Sequence, residues 1–237
     1  MMARRTTPHT THRARCRLCA MLAALCAGCG GGETPHADAP RVIEWYGDSL
    51  TFGSIAGLSG ELTRLAVPPV RRAQELLGDT ALCVDLSLPG ATAADALAGV
   101  AGMPFGPFAE HIKVSPASTV VLRYGGADAV RGVPLADFER NLARLVTLAQ
   151  AAGKTVLLVG VIAFHANDGA MTQDLVERAD EFDAAVERTA DAFGTGFVNV
   201  RAVPVTFPGD LADPVHPAQA WSDRLTTAIV RHLQPQP

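Results

Sequence analysis

A serine sits in Gly47-Asp48-Ser49-Leu50-Thr51-Phe52-Gly53, directly after the apolar stretch Arg41-Val-Ile-Glu-Trp-Tyr46, and far along the chain stands Asp213-Pro214-Val215-His216-Pro217. A hydroxyl in a tight, glycine-flanked turn at a strand end is exposed enough to act as a nucleophile. It needs a base to take its proton and a third group to orient that base. An imidazole titrates close to neutral pH and serves as such a base. In Asp-x-x-His, the carboxylate is close enough in a loop to fix the tautomer of its own histidine. Ser49, His216 and Asp213 are therefore the candidate nucleophile, base and orienter of a serine hydrolase.

These groups need a scaffold that brings residues 49 and 216 together. From residue 41 onward, short β-rich runs alternate with longer amphipathic segments, which predicts an α/β fold with a parallel sheet covered on both faces. Strands are expected at 42–46, 81–86, 119–124, 155–162 and 197–200. Continuous apolar runs such as Val120-Val-Leu122 and Val156-Leu-Leu-Val159 suit strands buried on both sides. Helices are expected at 135–152, with Leu135, Phe138, Leu142, Leu145 and Ala149 on one stripe, and at 172–193, with Leu175, Ala179, Phe182, Val186, Ala190 and Phe193. A third, over 218–233, carries Trp221, Leu225, Ala228 and Ile229. In such a sheet, reactive groups lie at the carboxyl ends of the strands. Ser49, Pro89-Gly90-Ala91-Thr92, Gly125-Gly126-Ala127-Asp128 and the Asp213/His216 block all follow expected strands.

The first 28 residues differ in kind. Arg4, Arg5, Arg13, Arg15 and Arg17 precede the apolar run Leu18 to Ala27, with no acid before Glu33. That is the shape of an export signal, and its apolar run is shorter than the roughly 20 residues a membrane span needs. Leu25-Cys26-Ala27-Gly28-Cys29 resembles a bacterial lipobox, with Cys26 at a position usually held by leucine; the resemblance implies lipidation at Cys29 and a lipid anchor in a membrane. Gly30 after that cysteine fits outer-membrane sorting in Gram-negative bacteria, so the expectation is a cell-envelope lipoprotein, in the outer membrane or periplasm. Residues 29–40 read as a polar, Gly/Pro-containing tether, and 41–237 as one domain.

Cys16, Cys19, Cys26 and Cys29 thus belong to the leader rather than to a metal site, leaving Cys83 as a core thiol. His36, His111, His165 and His232 lack an Asp-x-x-His context, and neither a metal nor a cofactor is expected. Without residues 1–28 the chain holds 15 basic and 24 acidic side chains, a balance of −9, which argues against nucleic acid as a partner.

Over residues 41 to 233 the four blocks together resemble the SGNH/GDSL hydrolase superfamily, in which a serine, a glycine, an asparagine and a histidine come from successive short motifs. The resemblance implies a flavodoxin-like three-layer α/β/α domain with a five-stranded parallel sheet. It also implies Ser49 as nucleophile and an oxyanion hole built from the N–H groups of Ser49 and Gly90. The family's glycine-x-asparagine-aspartate block aligns on Gly125-Gly126-Ala127-Asp128, so Ala127 stands where the asparagine donor is usual. Losing one such donor costs about 10²–10³ in turnover.

The expectation is a hydrolase of small carboxylic esters, short-chain acyl or acetyl, with reduced activity. Asn167, Tyr124 or the Gly126 amide are candidate replacement donors. Transfer of the acyl group to another hydroxyl is an alternative within the same chemistry, and a non-catalytic lipoprotein that keeps the pocket for binding is an alternative outside it.

Overall fold

The computed structural model describes residues 40–56, 61–167 and 171–234. The leader, Cys29 and the tether up to residue 39 lie outside them. In chain order the elements are β1 (Arg41–Gly47), α1 (Ser49–Phe52), β2 (Ser54–Ala56), β3 (Leu62–Arg64), α2 (Pro69–Leu77), β4 (Ala81–Asp85), α3 (Ala93–Ala98) and α4 (Phe108–Val114). They continue with β5 (Thr119–Arg123), α5 (Gly126–Val130), α6 (Leu135–Ala151), β6 (Thr155–Val159), α7 (Gln173–Phe193), β7 (Gly196–Val198) and α8 (Gln219–Leu233).

The expected five-stranded sheet is present, wholly parallel, in the order β4-β1-β5-β6-β7. Helices α2 and α8 pack together on one side, while α3, α4, α6 and α7 form the layer on the other. The central strands carry the buried runs: Ile43 and Trp45 in β1, Val120 to Leu122 in β5, and Val156 to Val159 in β6. The stripe on α6 buries Phe138, Leu142, Leu145, Val146 and Ala149, and Phe138 stacks on Phe182 of α7 with ring centroids 4.8 Å apart. Burying each such side chain stabilises the fold by about 1.5–3 kcal/mol.

Strand direction reverses its walk across the sheet between β1 and β5, since β1 connects outward to β4 and the chain then returns to β5 on β1's other flank. That is the switch point where such sheets open a crevice. Ser49 follows β1 and Gly125 to Asp128 follow β5, so the two motifs flank it.

Three expectations need correction. Strand β6 stops at Val159 rather than 162, because Gly160 turns toward β7 through Val198 O and the Val161 N–H goes to the Asp183 carboxylate at 2.8 Å. No strand or helix is among those expected over 53–68 and 101–118, yet these stretches hold the antiparallel pair β2–β3 and helix α4. Cys83 is half-buried on the edge strand β4 rather than enclosed in the core, although its burial still pushes the thiol pKa up.

Candidate active site

The turn after β1 is held by its own sequence. Asp48 caps α1, its Oδ1 accepting the Leu50 N–H at 2.9 Å, and Gly53 closes the helix with its N–H on Ser49 O at 2.9 Å. Gly47 must lack a side chain: a Cβ there would lie 2.1 Å from Thr51 Oγ1 and 2.6 Å from Arg123 O. The consequence is a one-turn helix folded back tightly over β1, with Ser49 at its first position and only partly covered.

The second half of the set is fixed with similar economy. Leu211 bridges Pro217, and Ala212 donates its N–H to His216 O at 2.8 Å, so segment 211–217 is a closed loop. Within it, Asp213 Oδ1 accepts the N–H groups of Val215 at 2.8 Å and His216 at 2.9 Å. Asp213 Oδ2 lies 2.8 Å from His216 Nδ1 and also accepts the Ala56 N–H at 2.7 Å. Burial raises the Asp213 pKa, but the N–H groups of Ala56, Val215 and His216 and the imidazole outweigh it and hold the carboxyl below its usual range.

An ionised carboxylate only accepts, so the His216 proton facing it belongs on Nδ1 and Nε2 is left as an acceptor. His216 Nε2 lies 3.0 Å from Ser49 Oγ. The structure therefore brings Ser49, His216 and Asp213 into one hydrogen-bonded chain, the arrangement required to remove a proton from a serine as it attacks a carbonyl.

Gly90 lies in the wall of the same cleft. Leu88 O accepts the Ala91 N–H at 3.0 Å, and Pro89-Gly90 occupies the centre of that turn with Gly90 at φ +74°, as a type II turn requires. Ala127 lines the cleft as well, but its backbone N–H is taken by Asp48 Oδ2 at 2.9 Å. Of the candidate replacement donors, Gly126 lines the cleft, whereas Tyr124 is buried away from it and Asn167 is hydrogen-bonded to Met171, its N–H on Met171 O at 2.9 Å.

The cleft has a volume of about 260 Å³, and its walls include Leu50, Leu62, Val130, Phe164 and Val215. Leu62 and Val130 are 64% and 48% exposed, two of the four large apolar side chains most open to solvent among the described residues. They come from β3 and α5, on either side of Ser49, so an apolar rim surrounds a polar centre. A second cleft of about 430 Å³, among α2, α8 and residues 202–204, is lined by Arg72, Arg224 and Arg231 together with Asp223 and Thr227, and neither a serine nor a histidine lines it.

Several residues that shape the site were missed in the sequence. Asp128 is fully buried and accepts the N–H groups of Ala93 at 3.2 Å and Gly125 at 3.2 Å, joining the segments after β4 and β5. Burial raises its pKa to about 7. Arg131 donates to Gly90 O at 3.2 Å and to Asp95 at 2.7 Å. Of the other histidines, His111 meets the buried Glu44 at 3.3 Å, a carboxylate that also accepts from Tyr46, and His165 stacks on Phe207; neither lines the cleft.

Residues 45–223 match the GDSL-like Lipase/Acylhydrolase family. Esterase TesA of Pseudomonas aeruginosa is 32% identical over 199 residues, which cover 83% of this chain and 90% of that protein. A carbohydrate acetylesterase family member from Sinorhizobium meliloti shares the fold with a TM-score of 0.66 at 20% identity, covering 81% of this chain and 97% of its own. The native M. smegmatis aryl esterase does so with a TM-score of 0.67 at 18% identity, covering 81% and 98%. The central parallel sheet, the motif after its first strand and a family match that spans most of the chain agree, and the chain belongs to the GDSL-like lipase/acylhydrolase family.

Proposed function

We propose that the protein is a serine hydrolase of carboxylic esters that works through an acyl-enzyme on Ser49. The observation that carries this reading is the continuous chain from Asp213 Oδ2 to His216 Nδ1 and from His216 Nε2 to Ser49 Oγ, at 2.8 and 3.0 Å, opening into an apolar cleft. Ser49 Oγ attacks the ester carbonyl as its proton passes to His216 Nε2. The carbonyl π pair moves onto oxygen, and the N–H groups of Ser49 and Gly90 receive that oxyanion. Collapse expels the alkoxide, which takes the proton from His216. Water, deprotonated by His216, then attacks the acyl-enzyme and releases the acid and Ser49.

In this reading Ala127 stands in place of the family's asparagine donor, and turnover is lower for it. The methyl group adds to an apolar wall in which Leu62, Val130, Phe164 and Val215 favour an ester with an apolar acyl group over a polyhydroxy one. Small acyl esters, acetyl included, fit the same centre. The leader and Cys29 support export and attachment to the cell envelope through a lipid; loss of radiolabelled palmitate from the Cys29→Ala chain tests that part.

The activity is tested by hydrolysis of p-nitrophenyl esters of two to ten acyl carbons by the domain from residue 30 onward, beside Ser49→Ala. Activity in the parent and none in the variant is the expected result. Folded proteins that are equally inert across the series would overturn the hydrolase and leave the cleft as a binding site.

A further inference from the structure

Beneath the nucleophile turn lies a charged side chain that the acyl-transfer steps do not use. Arg123, the last residue of β5, is 4% exposed, and its Nη1 donates to the Leu50 carbonyl at 3.0 Å. Leu50 is also the residue whose N–H is held by Asp48 Oδ1, while Asp48 Oδ2 holds the N–H of Ala127. Asp48 is itself 1% exposed. Two buried, opposite charges thus grip the two ends of one residue adjacent to Ser49, and one of them also reaches the segment after β5.

Stability alone does not account for this. Arg123 Nε and Nη2 have no hydrogen-bond partner among the described residues, and neither do the buried hydroxyls of Thr51 and Ser54. Three of the five guanidinium N–H donors are thus unmatched in a desolvated site, and an apolar side chain of similar volume often fills such a space with no loss of stability. Burial lowers the Arg123 pKa, partly offset by Asp48, to about 10, which still leaves it charged at neutral pH.

We propose that Arg123 is a positioning residue for Ser49: it anchors the Leu50 carbonyl and supplies the counter-charge that keeps Asp48 a double acceptor, docking the nucleophile turn onto Ala127. A proton on either Asp48 oxygen would compete with one of the two N–H groups it holds. Burial already raises the Asp48 pKa and Arg123 opposes that rise, so without the guanidinium the carboxylate takes up a proton, gives up one of its two N–H groups, and the turn is released. Ser49 Oγ then leaves the line of His216 Nε2, while the cleft walls outside the turn, Leu62, Val130, Phe164 and Val215, stay in place. The role of Arg123 in turnover rests on the proposed serine chemistry; its anchoring of the turn does not.

The test compares Arg123→Met and Arg123→Lys with the parent by three readouts: kcat and KM on a p-nitrophenyl ester, the rate of Ser49 labelling by a fluorophosphonate, and amide exchange at Leu50 and Ala127. Arg123→Met should lose about 100-fold in kcat and in labelling rate with KM nearly unchanged, the scale expected when a nucleophile is misplaced by about 1 Å. Arg123→Lys should recover most of that loss. Both amides should exchange faster in Arg123→Met, while those of β5 and β6 keep their protection. In an Asp48→Asn background, removing Arg123 should add little, because the two act as one unit.

Parent kcat and unaltered exchange at both amides in a folded Arg123→Met protein would overturn the proposal, as would fully additive losses in the cycle. If Arg123→Met does not fold, Arg123→Gln, which keeps a donor for Leu50 O without the charge, is judged by the same criteria. A parent protein inert to ester and fluorophosphonate removes the hydrolase reading, and the exchange data then decide the anchoring by themselves.

Discussion

Ala56 donates its backbone N–H to Asp213 Oδ2 at 2.7 Å, the same oxygen that faces His216 Nδ1. The β2–β3 pair therefore supports the proposed base, because it holds the carboxylate that faces the imidazole. Asp213→Ala should lower kcat by about 10⁴-fold, in line with loss of the orienting acid in other triads, and should also speed amide exchange at Ala56. Steady-state kinetics with exchange at residues 54–56 check both. Exchange unaffected by the substitution would mean that the strand pair is held by other contacts.

Ala127 presents a methyl group to the cleft and spends its N–H on Asp48. Ala127→Asn should raise kcat on a simple ester tenfold or more, since an amide donor there adds a hydrogen bond that strengthens as the oxyanion forms. Measured against a folded parent with the same KM, an unchanged or lower kcat would show that the hole is complete without it.

Solution pH should register at Asp128. Its folded pKa, raised by burial to about 7, exceeds the value of about 3.9 expected in the unfolded chain. Between those values the folded state binds more protons, so the contribution of Asp128 to stability is fully present below about pH 4. It is lost as pH rises to about 7. Asp128→Asn cannot titrate, so the melting temperature of the parent minus that of the variant should fall from pH 4.5 to about 7 and level off above it. A difference that is flat with pH would place the titration elsewhere.

The apolar rim predicts chain-length selectivity. Leu62→Asp should raise KM for an octanoyl ester about tenfold or more and leave an acetyl ester nearly unchanged, because each methylene lost from an apolar pocket is worth about 1–3 kcal/mol. A matched pair of p-nitrophenyl esters decides it. Equal effects on both would place the acyl chain away from β3.

The fold was largely legible because each central strand is a continuous apolar run and each long helix carries a stripe, patterns that burial imposes locally. The grouping of Ser49, Asp213 and His216 was legible for a related reason: the serine and its turn are contiguous, and the aspartate and histidine are three residues apart. Helix α2 carries its own signal, with Val70, Ala73 and Leu77 at helical spacing behind Pro69. The β2–β3 pair left almost none, since Leu62 to Arg64 are all exposed and show no alternation. Asp48, Arg123 and Asp128 act on peptide groups that only the folded chain brings near, so their roles have no sequence period to betray them.

The hydrogen bond between His216 and Ser49 closes across 167 positions of the chain. No fragment that lacks either end contains the pair, and a partly folded intermediate that has yet to dock segment 211–217 presents Ser49 as an ordinary alcohol. On the proposed serine chemistry, reactivity becomes a reporter of folding: the rate at which a refolding sample becomes able to take up a fluorophosphonate times the docking of segment 211–217 against the turn that holds Ser49.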